Sequence, residues 1–293
     1  MHLYLRTIGF SDIKTEEQMN KLTRSMLRKA MEMDLVESVD VAEERYAEIT
    51  CYVSEHLGIT FMGTLSRTGK FQLSYEFPFL RSENYIHVND FSVQRHSGNQ
   101  SYAVVSDDVK PGVNMIFYLQ NVMDHYRFVQ NPMRNPNGSG LRIAGLSLGG
   151  MILLPVYKDP QAVLQTQKDS NYRDSMVTAA KSGDEEALEN LTLEDLDVYA
   201  KMSRRVHQED IYSIIDTTFM PYGVECDQYA VIGEILDYTY EENEITKETI
   251  CIMSLLCNDV LIDVAVNTKD FVGEPAVGRR YKGTIWALAN VTY

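Results

Sequence analysis

Residues 141–157 constrain the fold of this chain more than any other stretch. Two apolar, β-favouring runs, 141–148 and 151–157, stand on either side of Gly149-Gly150. Gly-Gly is a favoured two-residue hairpin turn, so this spacing predicts a β-hairpin centred on the glycines. The same residues spell a second pattern. Gly145-Leu146-Ser147-Leu148-Gly149 has the G-x-S-x-G spacing of a nucleophile elbow, the turn that presents a hydrolase serine between a strand and a helix. A helix should then follow. Met151-Ile152-Leu153-Leu154-Pro155-Val156-Tyr157 favours strand instead. Pro155 would fall about two turns into that helix, removing a hydrogen bond and clashing with the preceding turn. The hairpin accounts for every residue here, whereas the elbow does not.

Strand patterning extends well beyond this stretch. Residues 71–77 alternate strictly between apolar and polar, as a half-buried strand does, and further strands are predicted over 47–53, 58–65, 101–105 and 114–119. Residues 2–9 read as a short strand. Thr15 and Gln18 form a capping box that opens a helix with Met19, Leu22, Met26, Ala30 and Met33 on one face. Over 160–215 the signal turns helical: Ser182-Gly183 ends one helix, Asp184 caps the next, and Thr192 with Asp195 opens a third. The last segment returns to strand. A long strand covers 229–240, a hairpin turns at Asn258-Asp259 between 249–257 and 260–266, and a final strand covers 283–288. The expected class is α+β. It comprises an antiparallel-sheet unit with one long helix over residues 1–158, a helical segment over 159–225, and a small β-sheet or OB-like barrel over 226–293.

Composition narrows the function classes. A formal net charge of −15 disfavours phosphate backbones and anionic lipid surfaces, so nucleic acid and membrane are poor partners. No stretch approaches the ~20 apolar residues of a membrane span. Cys51, Cys226, Cys251 and Cys257 are scattered without a C-x-x-C pair, which suits free thiols in a reducing cytoplasm.

Chemical signatures are sparse. For Ser147 to act as a nucleophile in the usual chain order, His207 is the one downstream histidine, with Asp195 or Asp197 as the acid, but the alternating α/β framework is missing. His87, Asp90 and His96 lie close in sequence without tight metal-ligand spacing. No phosphate-binding loop and no cofactor fingerprint occurs. The one basic-aromatic knot, Arg279-Arg280-Tyr281 with Trp286 beyond it, could stack a base on a barrel face. Residues 226–293 carry 5 Lys+Arg against 11 Asp+Glu, about −6, which opposes a nucleic-acid track. Cys226 and Asp227 read as a structured junction. The leading expectation is a non-enzymatic cytosolic protein that binds a protein or small ligand. A serine hydrolase using Ser147 and a single-strand binder using the C-terminal unit are the alternatives.

Three stretches carry a resemblance: Leu5-Arg6-Thr7-Ile8-Gly9-Phe10, then Phe219-Met220-Pro221-Tyr222-Gly223-Val224-Glu225-Cys226-Asp227-Gln228-Tyr229, then Gly273-Glu274-Pro275 through Trp286. Over most of its length the chain resembles an uncharacterised family of clostridial proteins classed only as a domain of unknown function. The resemblance implies a bacterial cytoplasmic protein. It brings no activity, cofactor or catalytic residue.

Overall fold

The structure is a computed structural model. It describes residues 3–33, 35–41, 44–88, 91–95, 101–106, 115–132, 140–156, 175–176, 179–180, 182–184, 186–187, 189–191, 212, 215–224 and 226–293. One compact unit comprises Met1–Leu153 with Thr217–Tyr293, and a second comprises Leu154–Asp216.

The first unit opens with a 3-10 helix, Leu3–Ile8, where a short strand is expected. Its hydrogen bonding stays local, since the Thr7 hydroxyl donates to the Tyr4 carbonyl at 2.7 Å. Tyr4, Leu5 and Ile8 are buried, and Tyr4 stacks on Trp286 with ring centroids 5.3 Å apart. Arg6 fixes the segment from outside through two bonds to Asp270, at 2.6 and 2.5 Å. Helix α1 (Glu16–Glu32) follows, with both halves of the Thr15/Gln18 capping box formed and Met19, Met26 and Ala30 buried.

A four-stranded antiparallel sheet comes next: β1 (Val36–Val41), β2 (Glu44–Tyr52), β3 (Leu57–Leu65) and β4 (Phe71–Leu80), in that spatial order. Alternation along β2 divides its side chains between two faces. Ala47, Ile49 and Cys51 share one face, where the Cys51 thiol contacts the Met26 carbonyl of α1 at 3.9 Å. Tyr46, Glu48, Thr50 and Tyr52 share the other.

The second sheet collects β5 (Ile86–His87), β6 (Ser92–Arg95), β7 (Tyr102–Ser106), β8 (Met115–Leu119), β9 (Gly140–Leu153), β10 (Thr218–Pro221), β11 (Gln228–Glu242), β12 (Thr249–Cys257), β13 (Val260–Asn267), β14 (Phe271–Val272) and β15 (Arg280–Thr292). A short helix, α2 (Val122–Gln130), lies between β8 and β9. The hairpin expected at Gly149-Gly150 does not form, because β9 runs straight through both glycines. It pairs with β15 antiparallel from Gly140↔Thr292 to Leu153↔Arg280, with β13 parallel, and with β14 parallel at Phe271↔Gly150. The glycines serve close approach instead of turning. A Cβ on Gly149 would stand 2.8 Å from the Asp270 carbonyl oxygen, and one on Gly150 would stand 2.5 Å from that of Lys282. The hairpin at Asn258-Asp259 does form, both residues having positive φ (48° and 65°), the signature of a type I′ turn.

The α+β expectation is corrected to a mainly β class, with 52% of the described residues in strands and 19% helical. The C-terminal strands do not make a separate small barrel. β11 pairs with β12 and with β15, and β9, from the other half of the chain, stands between β13 and β15. The five strands close a ring that the C-terminal segment could not close alone. Most of the segment expected to be helical lies outside the described residues. Of the second unit, Asp184 accepts from the backbone N–H groups of Glu186 and Ala187 at 3.0 and 3.1 Å.

Because the Lys282 carbonyl and the Tyr281 side chain crowd Gly150, Gly150→Val is expected to destabilise the fold by about 1–3 kcal/mol through overpacking, read as a lower urea midpoint. A midpoint equal to wild type would contradict the close approach.

Candidate functional site

The described residues among those singled out from the sequence do not build one site. Ser147 lies in the middle of β9 and is fully buried. Its hydroxyl donates to the Thr284 carbonyl at 2.7 Å and accepts from the Tyr281 hydroxyl at 2.8 Å. The serine is thus tied into the β9–β15 ladder, without the exposed turn an elbow requires. His207, Asp195 and Asp197 lie outside the described residues. Arg280, Tyr281 and Trp286 are buried, and the Trp286 indole donates to Asp227 at 2.8 Å, so none of them presents a face for a base. Arg279 is part-exposed and donates to the Glu274 carbonyl at 2.7 Å. Cys226 is exposed, and its neighbour Asp227 is committed to Trp286. His87 is exposed on β5, while Asp90 and His96 lie outside the described residues.

What the sequence does not single out is a cleft of about 700 Å³ between the four-stranded sheet and the second sheet. Its floor is formed by Glu48, Thr50 and Tyr52 of β2 together with Thr60 of β3. Gln120, Arg142 of β9 and Asn290 of β15 form the facing wall, and the β4 end contributes Arg81. Local sequence explains the polar floor: β2 alternates, and its apolar side is already occupied by α1. Gln120 crosses between the sheets, with its amide donating to the Leu80 carbonyl at 3.2 Å and to the Asn290 side chain at 2.7 Å. The segment after β4 is held by a buried carboxylate. Asp263 accepts from Ser82 at 2.7 Å, Asn84 at 2.7 Å and Ser254 at 2.5 Å.

Glu48 is the unusual group in this cleft. One carboxyl oxygen accepts from the Thr50 hydroxyl at 3.1 Å, and the other, Oε2, is buried with no partner among the described residues. Burial pushes its pKa up to about 7, Glu37 and Asp124 add to the rise, and Thr50 and Arg127 oppose it. A buried polar atom left without a bond costs about 1–3 kcal/mol, which an ordered water, an ion or a ligand group can relieve. Arg81 is exposed and has no carboxylate partner among the described residues. Arg142 reaches only the Thr292 hydroxyl, at 3.5 Å, and lies 5.9 Å from the Tyr85 ring centroid.

A second cluster, Glu55, His56 and Glu241, brings three ligand-type atoms within 4.8 Å of one another. Glu241 is already engaged there, accepting from the His56 backbone N–H at 3.1 Å and pairing with His56 Nδ1 at 2.5 Å. The arrangement clamps the β2–β3 turn to β11.

Ser147→Ala removes a buried partner of Tyr281 and is expected to cost about 1–3 kcal/mol in urea unfolding. Folded wild-type protein is expected to resist a fluorophosphonate probe. Labelling that disappears in Ser147→Ala would show the serine to be reachable.

No curated protein and no solved structure matches this chain. Among the described residues no helix is long and apolar enough to cross a membrane. The family described as "Domain of unknown function, E. rectale Gene description (DUF3881)" matches residues 5–288. This is nearly the whole chain, including the three stretches on which the resemblance rested, and the chain therefore belongs to that family of clostridial type.

Proposed function

We propose that this chain is a cytoplasmic, non-enzymatic binding protein that holds a small polar ligand in the cleft between its two sheets. The observation that carries this reading is Glu48, which lines a polar cleft and whose buried Oε2 lacks a hydrogen-bond partner among the described residues. Small-ligand sites pair a concave wall with a few placed polar groups, and Thr50, Gln120 and Asn290 supply those here. The four free thiols support a reducing compartment. Burial pushes the Cys51 thiol up to about 11 and those of Cys251 and Cys257 up to about 12, so these three suit packing better than nucleophilic attack.

The test is native mass spectrometry of the tagged chain purified from its own cytosol. A small-molecule adduct is expected on wild type and is expected to be depleted in Glu48→Gln. An adduct unaffected by Glu48→Gln, or a bare wild-type chain, would overturn the reading.

Glu48 also predicts a pH dependence of the empty protein. The folded carboxyl holds its proton up to about pH 7, while the unfolded one releases it near 4.5. Folded chain therefore binds more protons in that window, and stability falls as pH rises through it. Relative to Glu48→Gln, wild type is expected to lose about 3 kcal/mol across the window in urea unfolding. A constant difference between the two proteins would show that the carboxyl is ordinary.

A further inference from the structure

The cleft is electrically two-ended. At one end Glu48 stands directly across from Glu37 on the neighbouring strand, in register. Asp124 of α2 adds a third carboxylate. The one cation among the groups acting on Glu48 there is Arg127, which is spent on Glu37 at 2.6 Å and Asp124 at 3.1 Å. Thr50 and Thr60 complete the surroundings with hydroxyls. Among the described residues that end sets three carboxylates against one guanidinium.

The other end is basic. Glu48 is level with Met62 of β3, and Met62 with Tyr75 of β4. Arg81 lies six residues further along, about 20 Å of extended strand. Its backbone N–H is fixed to the His56 carbonyl at 2.8 Å, and the adjacent Ser82 is fixed to Asp263. Arg142 lines the same end, beside Asn290, its partner across the β9–β15 ladder. Two guanidiniums without carboxylate partners there face one exposed acid, Glu83. At the same basic end Asn290 accepts through its oxygen from Gln120, which also holds the Leu80 carbonyl, and leaves its amide N–H groups unengaged among the described residues. Those groups suit a carbonyl.

We infer that the occupant is an elongated zwitterion of peptide type, its ammonium against Glu48 and its carboxylate against Arg81 and Arg142. This rests on the cleft reading above. A compact amino acid cannot reach both ends, whereas three residues of extended peptide cover roughly 10 Å before side-chain reach is added. Seating an ammonium on Glu48 favours its ionised form, so binding at mildly acid pH releases a proton.

The experiment is calorimetric titration of the full chain with triglycine, N-acetyl-triglycine and triglycine amide. Triglycine is expected to bind at least about tenfold tighter than either capped peptide. Glu48→Gln is expected to erase the preference over the acetylated form, and Arg81→Ala, at an exposed position, the preference over the amide. In buffers of different ionisation enthalpy, close to one proton should be released per triglycine near pH 6 and almost none near pH 8.5. Glu48→Gln should abolish that release. Equal binding of the capped peptides, or equal binding of a linear diamine, would overturn the zwitterion. Absence of triglycine binding would overturn it too. If the native adduct nevertheless depends on Glu48, the cleft reading survives with a different ligand; if it does not, both fall.

Discussion

The fold depends on β9 finding both of its long-range partners. A strand in the middle of a sheet must satisfy its N–H and C=O groups on two edges, and β9 does so with β13 on one side and β15 on the other. Without it, β11, β12, β13 and β15 would leave a ring open, with bare edges on β13 and β15. Its glycines follow from the same constraint: strands this close admit no side chain at Gly149 or Gly150. Ser147 belongs to this arrangement as well, spanning the ladder from β9 to β15. A residue that looks like a nucleophile in sequence is a structural fastener.

The cleft is a by-product of the same architecture. The first sheet uses its apolar face on α1 and turns its polar face toward β9, β15 and the Gln120 crossing. Two sheets meeting through apolar side chains would interdigitate and leave no void. Here hydroxyls, amides and charged groups line the meeting, and space is left between them. Glu48 is the point of greatest tension in that space, being desolvated, close to other acids and short of one bond. Its energy is unfavourable for folding at neutral pH, which gives a ligand cation something to relieve.

Legibility in the sequence followed the range of the interactions. The Asn258-Asp259 hairpin and the Thr15/Gln18 capping box are local, and both could be read directly. Gly149-Gly150 was misread because the reason for glycine there is a carbonyl at residue 270 or 282, far along the chain. The 3-10 helix at Leu3–Ile8 was misread for a related reason: its apolar residues also fit a strand, and Arg6–Asp270 decides its placement. Glu48 gave a signal that could not be resolved. Tyr46, Glu48, Thr50 and Tyr52 are the polar half of an alternating strand, a pattern identical to a face bathed in water. Only residues far along the chain, Gln120, Arg142 and Asn290, turn that face into the wall of a cleft.

The position of β9 in the ladder also sets the order in which this protein can be made. Ser147 bonds to Thr284 across 137 residues of chain, and Gly140 waits for Thr292 at the far end. During synthesis the strand emerges long before either neighbour exists, so its unpaired edges must be kept from pairing with other chains until β13 and β15 have been made. Non-local pairing of this kind slows folding and exposes unpaired strand in the meantime. A chain stopped short of β15 would lack more than a small appendage: its central strand would have no completed sheet to enter.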